Sequence, residues 1–139
     1  MTTIYKDIPI EAAADRVWAA VREVGEVHKC LAAGFVVDCR REGEARVVTF
    51  ANGMVARELI VGIDEQNRRV AYSVVEGRAT HHNASMQVFA NGEGRSRLVW
   101  ITDVLPDELA GPLGGMIEQG SAAMKRTLEG APGRGTSRP

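Results

Sequence analysis

The feature that most constrains the fold of this chain is a run of six strand-like segments between residues 35 and 105. Each segment is rich in Val, Ile, Thr or aromatic residues. The first five are followed by turns that contain Gly, Asn, Asp or Glu, and the last by Pro106, which is typical of strands joined by tight turns. Two of the turns contain the dipeptide that most strongly favours a β-hairpin, Asn52-Gly53 and Asn91-Gly92. Strands joined by such short turns pair antiparallel, so the segment predicts an antiparallel meander.

One strand and two short helices are predicted before the meander. Residues 3–10 form an apolar-rich extended segment. The alanine-rich residues 11–22 favour a helix, and residues 26–32 predict a second, shorter one that ends before Gly34.

A longer helix is predicted after the meander, over residues 107–129, where apolar residues recur at helical spacing. Gly111, Gly114 and Gly115 weaken its start. These glycines either let the helix flex over the mouth of a cavity or allow close packing on the sheet.

This order of elements predicts an α+β protein with one domain, residues 1–129. We expect a curved antiparallel sheet of about seven strands wrapped around a long C-terminal helix, with two short helices after the first strand. Residues 130–139 have no apolar anchor and are expected to form a disordered tail.

Charge and hydropathy exclude several classes of function. Lys and Arg number 17 against 18 Asp and Glu, which gives a net charge of -1 and disfavours nucleic-acid binding through bulk charge. No apolar run is long enough for membrane insertion, and the first residues lack the apolar core of a signal peptide. Cys30 and Cys39 are too few for a disulfide scaffold, so a cytoplasmic location is expected. The sequence leaves open whether two copies form a homodimer.

Several stretches carry a family resemblance: ADRVWAAV at 14–21, RVVTFANG at 46–53, VAREL at 55–59, YSVVEG at 72–77, LVW at 98–100 and EQGSAAMKRTL at 118–128. Together they resemble the START-related helix-grip superfamily (SRPBCC), in its polyketide cyclase/dehydrase and lipid-transport branch. The resemblance implies a helix-grip fold that binds a lipid- or polyketide-like molecule between the sheet and the C-terminal helix. Most bacterial members of this branch have no assigned ligand. No P-loop or dinucleotide motif is present, so we expect no cofactor.

Strand alternation and the resemblance together assign the side chains that face the cavity. On the strand that includes Glu58, hydrophobicity alone would turn Leu59 and Val61 inward. The resemblance implies instead that Glu58 faces the cavity, and we follow it. The predicted ligand-binding residues are Glu58, Tyr72, Val74, Thr80, His82, Ala84, Met86, Leu98, Trp100, Met116, Ile117, Gly120 and Met124.

An inward Glu58 would be costly unless it is paired or hydrated, and His82, Tyr72 or water could satisfy it. Glu58 is then either a polar anchor for a ligand or, with His82, a candidate for acid–base catalysis. A structural hydrogen bond, or a Glu58 that points to solvent beside Arg57, is the simpler alternative.

Three functions therefore stay open. The first is binding of a hydrophobic or amphipathic small molecule. The second is a cyclase, aromatase or dehydratase acting on a polyketide-like substrate. The third is a protein-interaction module with a collapsed cavity. A metal site is not expected, because His81 and His82 are adjacent on a strand and point to opposite faces, and His28 is the only other histidine.

Overall fold

The structure is a computed structural model that describes the backbone of residues 1–137 and the side chains of residues 1–130. The expected disordered tail, residues 130–139, lies almost entirely outside the described side chains, and it stays a prediction.

Seven strands form one antiparallel sheet in the order β1-β7-β6-β5-β4-β3-β2. Two α-helices, one π-helical turn at Val27–Leu31 and one 3₁₀ turn at Asp107–Leu109 complete the described elements. The strands are β1 (Thr2–Ile10), β2 (Val36–Glu42), β3 (Ala45–Phe50), β4 (Val55–Asp64), β5 (Arg69–Val75), β6 (His81–Ala90) and β7 (Ser96–Leu105), and the helices are α1 (Ala14–Val21) and α2 (Ala110–Ser137).

The two Asn-Gly turns lie where the sequence predicted them. The β3–β4 turn contains Gly53 at φ 93°, and the β6–β7 turn contains Gly92 at φ 89° and Gly94 at φ 74°. Only glycine adopts such left-handed conformations without steric cost. The glycines therefore allow β2 to β7 to pair strictly with their neighbours in sequence, which is the predicted meander.

The core lies between the inner face of the curved sheet and the helices. Its most enclosed side chains come from four elements and include Ile10, Val17, Leu98 and Leu128, each no more than 1% exposed. The predicted helix-grip α+β fold is confirmed. The long helix begins slightly later than predicted, because residues 107–109 form a 3₁₀ turn before α2. None of the described helices is both long and apolar enough to cross a membrane.

Candidate functional site

A cavity of about 820 Å³ lies between the inner face of the sheet and the first turns of α2. Its volume is in the range of pockets that bind small organic molecules. The apolar part of its wall comes from both the sheet and α2 and includes Phe35, Phe50, Val74, Val104, Leu113 and Ile117. The inner-wall polar groups are few: Glu58, Tyr72, His82 and Thr102.

Seven of the thirteen residues predicted to bind a ligand line this cavity. They come from β4, β5, β6, β7 and α2, and they are Glu58, Tyr72, Val74, His82, Trp100, Met116 and Ile117. Alternation along the strands brings the sheet residues to one face, because directly paired residues of neighbouring strands share a face. Ligand contact itself stays a prediction for each of them.

Two more of the predicted residues lie deeper. Met86 and Met124 line a second pocket of only about 60 Å³. This inner pocket shares five residues with the main cavity: Phe35, Phe50, Glu58, Tyr72 and Trp100. These five side chains therefore lie between the two spaces.

Four predicted residues do not line either space. Thr80 is exposed and precedes the first residue of β6, so the alternation that placed it inward does not extend to it. Ala84 and Leu98 have the predicted inward orientation, but neighbouring side chains cover them and they belong to the packed core. Gly120 lies on α2 with a different role, described next.

The glycines of α2 divide into two kinds. A Cβ atom built on Gly120 would lie 3.0 Å from Phe35 and 3.2 Å from the indole ring of Trp100. At Gly111, Gly114 and Gly115 a Cβ atom would meet nothing within 4 Å. Close packing therefore explains Gly120 and does not explain the glycines at the start of the helix.

Glu58 faces inward, as the resemblance implied, and is only 7% exposed. Among the described side chains its partner is Arg46, and not His82 or Tyr72, the two side chains that the sequence suggested. The Arg46 Nε donates a hydrogen bond to Glu58 Oε1 at 2.8 Å. The two residues are directly opposite on β3 and β4, so a buried, charge-compensated pair forms across one hairpin.

Arg46 was not among the residues predicted from the sequence, although its inward position follows from the hairpin. The predicted turn at Asn52-Gly53 fixes the pairing of β3 with β4, and a cross-strand pair lies on one face. Once Glu58 is assigned inward, the hairpin also brings Arg46 inward. An arginine close to the end of a strand is ordinarily exposed, so Arg46 was not expected to be the partner of Glu58.

Arg46 makes two further contacts. Its Nη1 donates to the Val24 carbonyl oxygen at 3.1 Å, and its guanidinium carbon lies 4.9 Å from the centre of the Tyr72 ring. Such a cation–π contact stabilises a desolvated guanidinium. Arg46 lines the inner pocket but not the main cavity, whose wall presents Glu58 instead.

Tyr72 joins this cluster to β7. The Trp100 Nε1 donates a hydrogen bond to the Tyr72 hydroxyl oxygen at 3.1 Å. Burial, and then the negative charge of Glu58, raise the pKa of Tyr72 far above its ordinary value. The phenol therefore keeps its proton at any physiological pH. Because its oxygen already accepts from Trp100, its O–H can donate to a further group.

His82 is half-buried in the cavity wall. Glu58 is not among the groups that shift the pKa of His82. Burial, followed by the neighbouring His81, lowers the pKa of His82 below its ordinary 6.5. At neutral pH the imidazole is therefore uncharged, with one nitrogen available as a base.

Charged side chains lie around the mouth of the cavity. Arg57 Nη1 lies 2.6 Å from Glu42 Oε1, and Arg40 Nη2 lies 3.1 Å from Glu42 Oε2. Glu76 and Arg78, in the turn between β5 and β6, complete the rim. Among the described residues, no group of three or more His, Cys, Asp or Glu side chains has a metal-binding arrangement.

Comparison with known proteins identifies the family. The model of the family described as polyketide cyclase / dehydrase and lipid transport matches residues 1–131. The chain belongs to this family. A search of functionally curated proteins gives no match.

Solved structures of similar fold include proteins with different activities. An uncharacterized Bacillus thuringiensis protein has a TM-score of 0.80 at 17% identity, covering 91% of this chain and 98% of its own. Norcoclaurine synthase from Thalictrum flavum, in complex with a transition-state analogue, has a TM-score of 0.67 at 18% identity, covering 91% and 93%. The di-domain ARO/CYC protein BexL of the BE-7585A biosynthetic pathway has a TM-score of 0.78 at 14% identity, covering 92% of this chain and 46% of its own. At these identities the likeness shows the fold.

Proposed function

We propose that this family member binds an amphipathic small molecule in the cavity between the sheet and α2. The observation that carries the proposal is the cavity of about 820 Å³ with mostly apolar walls and a small cluster of polar groups at its inner end. Apolar walls favour the body of a ligand through burial, at about 25 cal/mol per Å². A few fixed polar groups then orient one end of it.

A protein-interaction module with a collapsed cavity fits the structure less well. That hypothesis requires large side chains to fill the space under α2, and the space is open. The family description names lipid transport as well as cyclisation, which supports a ligand of lipid or polyketide type.

The proposal is tested with a pair of matched substitutions. Val74 lines the cavity on β5, whereas Val61 on β4 is 62% exposed and outside it. We expect Val74→Phe to fill part of the cavity and weaken binding of the neutral dye Nile red at least tenfold. Val61→Phe adds the same ring on the outside and should leave the dye affinity unchanged. Equal affinity of both variants and the wild type would refute binding in this cavity.

The natural ligand is sought by native mass spectrometry of the protein purified from its own host. A reproducible adduct that is lost in Val74→Phe and kept in Val61→Phe would identify a molecule bound in the cavity. An adduct retained equally by both variants would place the binding elsewhere.

A second candidate function, a cyclase or dehydratase, is favoured by one observation. His82 is a neutral base in the cavity wall, and Tyr72 is a protonated hydrogen-bond donor in the same wall. A base that removes a proton beside a donor that stabilises the resulting oxyanion is suited to carbon-acid chemistry on a polyketide-like chain. His82→Gln should then abolish turnover of such a substrate while its affinity changes by less than threefold. Unchanged turnover would exclude His82 as the base.

A further inference from the structure

The polar end of the cavity is electrically balanced before any ligand enters. The only described carboxylate of the inner wall, Glu58, is paired with Arg46. Arg46 is also held by the Val24 carbonyl oxygen and stacks on Tyr72. His82 is uncharged at neutral pH, as its lowered pKa requires. The inner wall therefore has no spare positive charge for an anion.

Two hydrogen-bonding functions of the cluster formed by Arg46, Glu58 and Tyr72 remain unoccupied. Glu58 Oε1 accepts from Arg46, whereas Oε2 accepts no hydrogen bond from the described residues. Oε2 is also not among the fully buried polar atoms that lack a partner, so it keeps some accessible surface, and Glu58 lines both the main cavity and the inner pocket. The Tyr72 hydroxyl accepts from Trp100 and has its proton to donate. One strong acceptor and one donor thus face the same space.

We infer, on the basis of the proposed function, that the cavity selects ligands whose buried end is a neutral hydrogen-bond donor, above all an alcohol or phenol hydroxyl. Such a hydroxyl donates to Glu58 Oε2 and accepts from the Tyr72 O–H. The hydrogen bond to Glu58 is charge-assisted and therefore strong.

A carboxylate at the same place is disfavoured for two reasons. It would lose its hydration without gaining a cation, which is costly in an apolar site. It would also meet the like charge of Glu58. Fatty acids and other carboxylate ligands should therefore bind more weakly than neutral analogues of the same shape.

Four naphthalenes of nearly equal size separate the effect of ligand charge from that of hydrogen-bond donation: 2-naphthol, 2-methoxynaphthalene, 2-naphthamide and 2-naphthoate. The amide and the carboxylate have nearly the same shape and differ in charge. The methyl ether keeps the oxygen of naphthol but has no proton to donate. Binding is measured at pH 7.5 by calorimetry, and by Trp100 emission in a Trp18→Phe background, which leaves Trp100 as the only tryptophan.

We expect 2-naphthol to bind at least tenfold more tightly than its methyl ether, and 2-naphthamide at least tenfold more tightly than 2-naphthoate. Carboxylate affinity equal to or above that of the amide would overturn the inference and leave the proposed function intact. If none of the four compounds binds and Nile red does not bind either, the proposed function fails and the inference fails with it.

Variants of the pair assign the selectivity to Glu58. Glu58→Gln leaves Arg46 buried without its partner, which threatens folding. The double variant Arg46→Leu with Glu58→Leu removes both charges and keeps the apolar volume. If it folds, it should lose the preference of naphthol over its ether, to within about twofold, while still binding Nile red. If the folded double variant still prefers naphthol over its ether, Glu58 does not determine the selectivity.

Tyr72→Phe provides a second, independent variant, because it keeps the ring under Arg46 and removes only the hydroxyl. We expect it to weaken binding of 2-naphthol and of its methyl ether equally, since both accept a hydrogen bond from Tyr72. The ratio between them, set by Glu58, should be unchanged. A collapse of that ratio in Tyr72→Phe would contradict the assignment of the donor and acceptor roles.

Discussion

The glycines of α2 lead to opposite effects of the same substitution within one helix. Gly114 and Gly115 lie in the first turns, where an added methyl group meets no atom within 4 Å. Neither glycine has a positive φ, so alanine is compatible with the backbone. Alanine at these positions should therefore stabilise the helix, because glycine loses more conformational entropy on folding.

The size of this gain follows from helix propensity. Each Gly→Ala change in a helix gives about 0.5–1 kcal/mol, so Gly114→Ala with Gly115→Ala should raise the free energy of unfolding by roughly 1–2 kcal/mol. For a chain of this length the melting temperature should rise by about 3–6 °C.

Gly120→Ala is the matched control in the same helix. Its methyl group would lie 3.0 Å from Phe35 and 3.2 Å from Trp100. Inserting a methyl group into such a packed core costs about 1–3 kcal/mol, which offsets the gain in propensity. We expect a net loss of about 1 kcal/mol.

Urea denaturation followed by far-UV circular dichroism measures all three variants. The reasoning is refuted if the Gly114/Gly115 double variant is no more stable than the wild type, or if Gly120→Ala is stabilised by a similar amount. If the double variant is stabilised, Nile red release should be timed by stopped flow. A slower release with unchanged equilibrium affinity would show that the first turns of α2 move when the ligand exchanges.

Three further predictions concern the charged groups. Glu58→Gln should destabilise the fold by about 3–5 kcal/mol, because it leaves Arg46 buried without a counter-charge. The Arg46→Leu/Glu58→Leu double variant should recover most of that loss. The urea midpoints of both variants test this, and equal losses of stability would contradict it. His82 has a folded-state pKa below its ordinary 6.5, so the unfolded chain binds more protons in that interval and stability falls as the pH drops from 6.5 towards the folded-state pKa. His82→Gln should remove this slope in denaturation at pH 5–8, and NMR titration should place the pKa of His82 below 6.5. The pKa of Glu65 is lowered, first by its hydrogen bond from Arg22 and then by that from Trp18. Its contribution to stability is therefore present above the ordinary pKa of 4.5 and is lost as the pH falls through the folded-state pKa. Glu65→Gln should reduce the loss of stability in acid, and an unchanged loss would show that the contact is absent in solution.

The fold was predictable because its signals are local. Each Asn-Gly dipeptide specifies a hairpin through backbone conformations that few other residues adopt, and the turn at Gly53 sets which residues of β3 and β4 are opposite. The apolar spacing of residues 107–129 likewise predicts a helix without knowledge of its partners.

The site was harder to predict because it depends on which face of a strand is buried. On β4 hydrophobicity favoured the wrong face: Leu59 and Val61 are 38% and 62% exposed, whereas Glu58 is buried. A carboxylate is buried only when a partner compensates its charge. That partner, Arg46, is twelve residues away in sequence and is recognisable only through the hairpin register. Thr80 shows the opposite error, since an alternating pattern does not indicate where its strand begins.

The pairing of β1 with β7 has a consequence for the order in which the chain folds. Strands β2 to β7 each pair with a neighbour in sequence, but Thr2 is opposite Val104, at the other end of the domain. During synthesis from the N-terminus, β1 emerges before the other six strands, and its partner β7 emerges after them. Contacts of such high sequence separation form late and slow the overall reaction. Until β7 has emerged, the ribosome-bound chain carries an unpaired strand whose N–H and C=O groups are open to other chains.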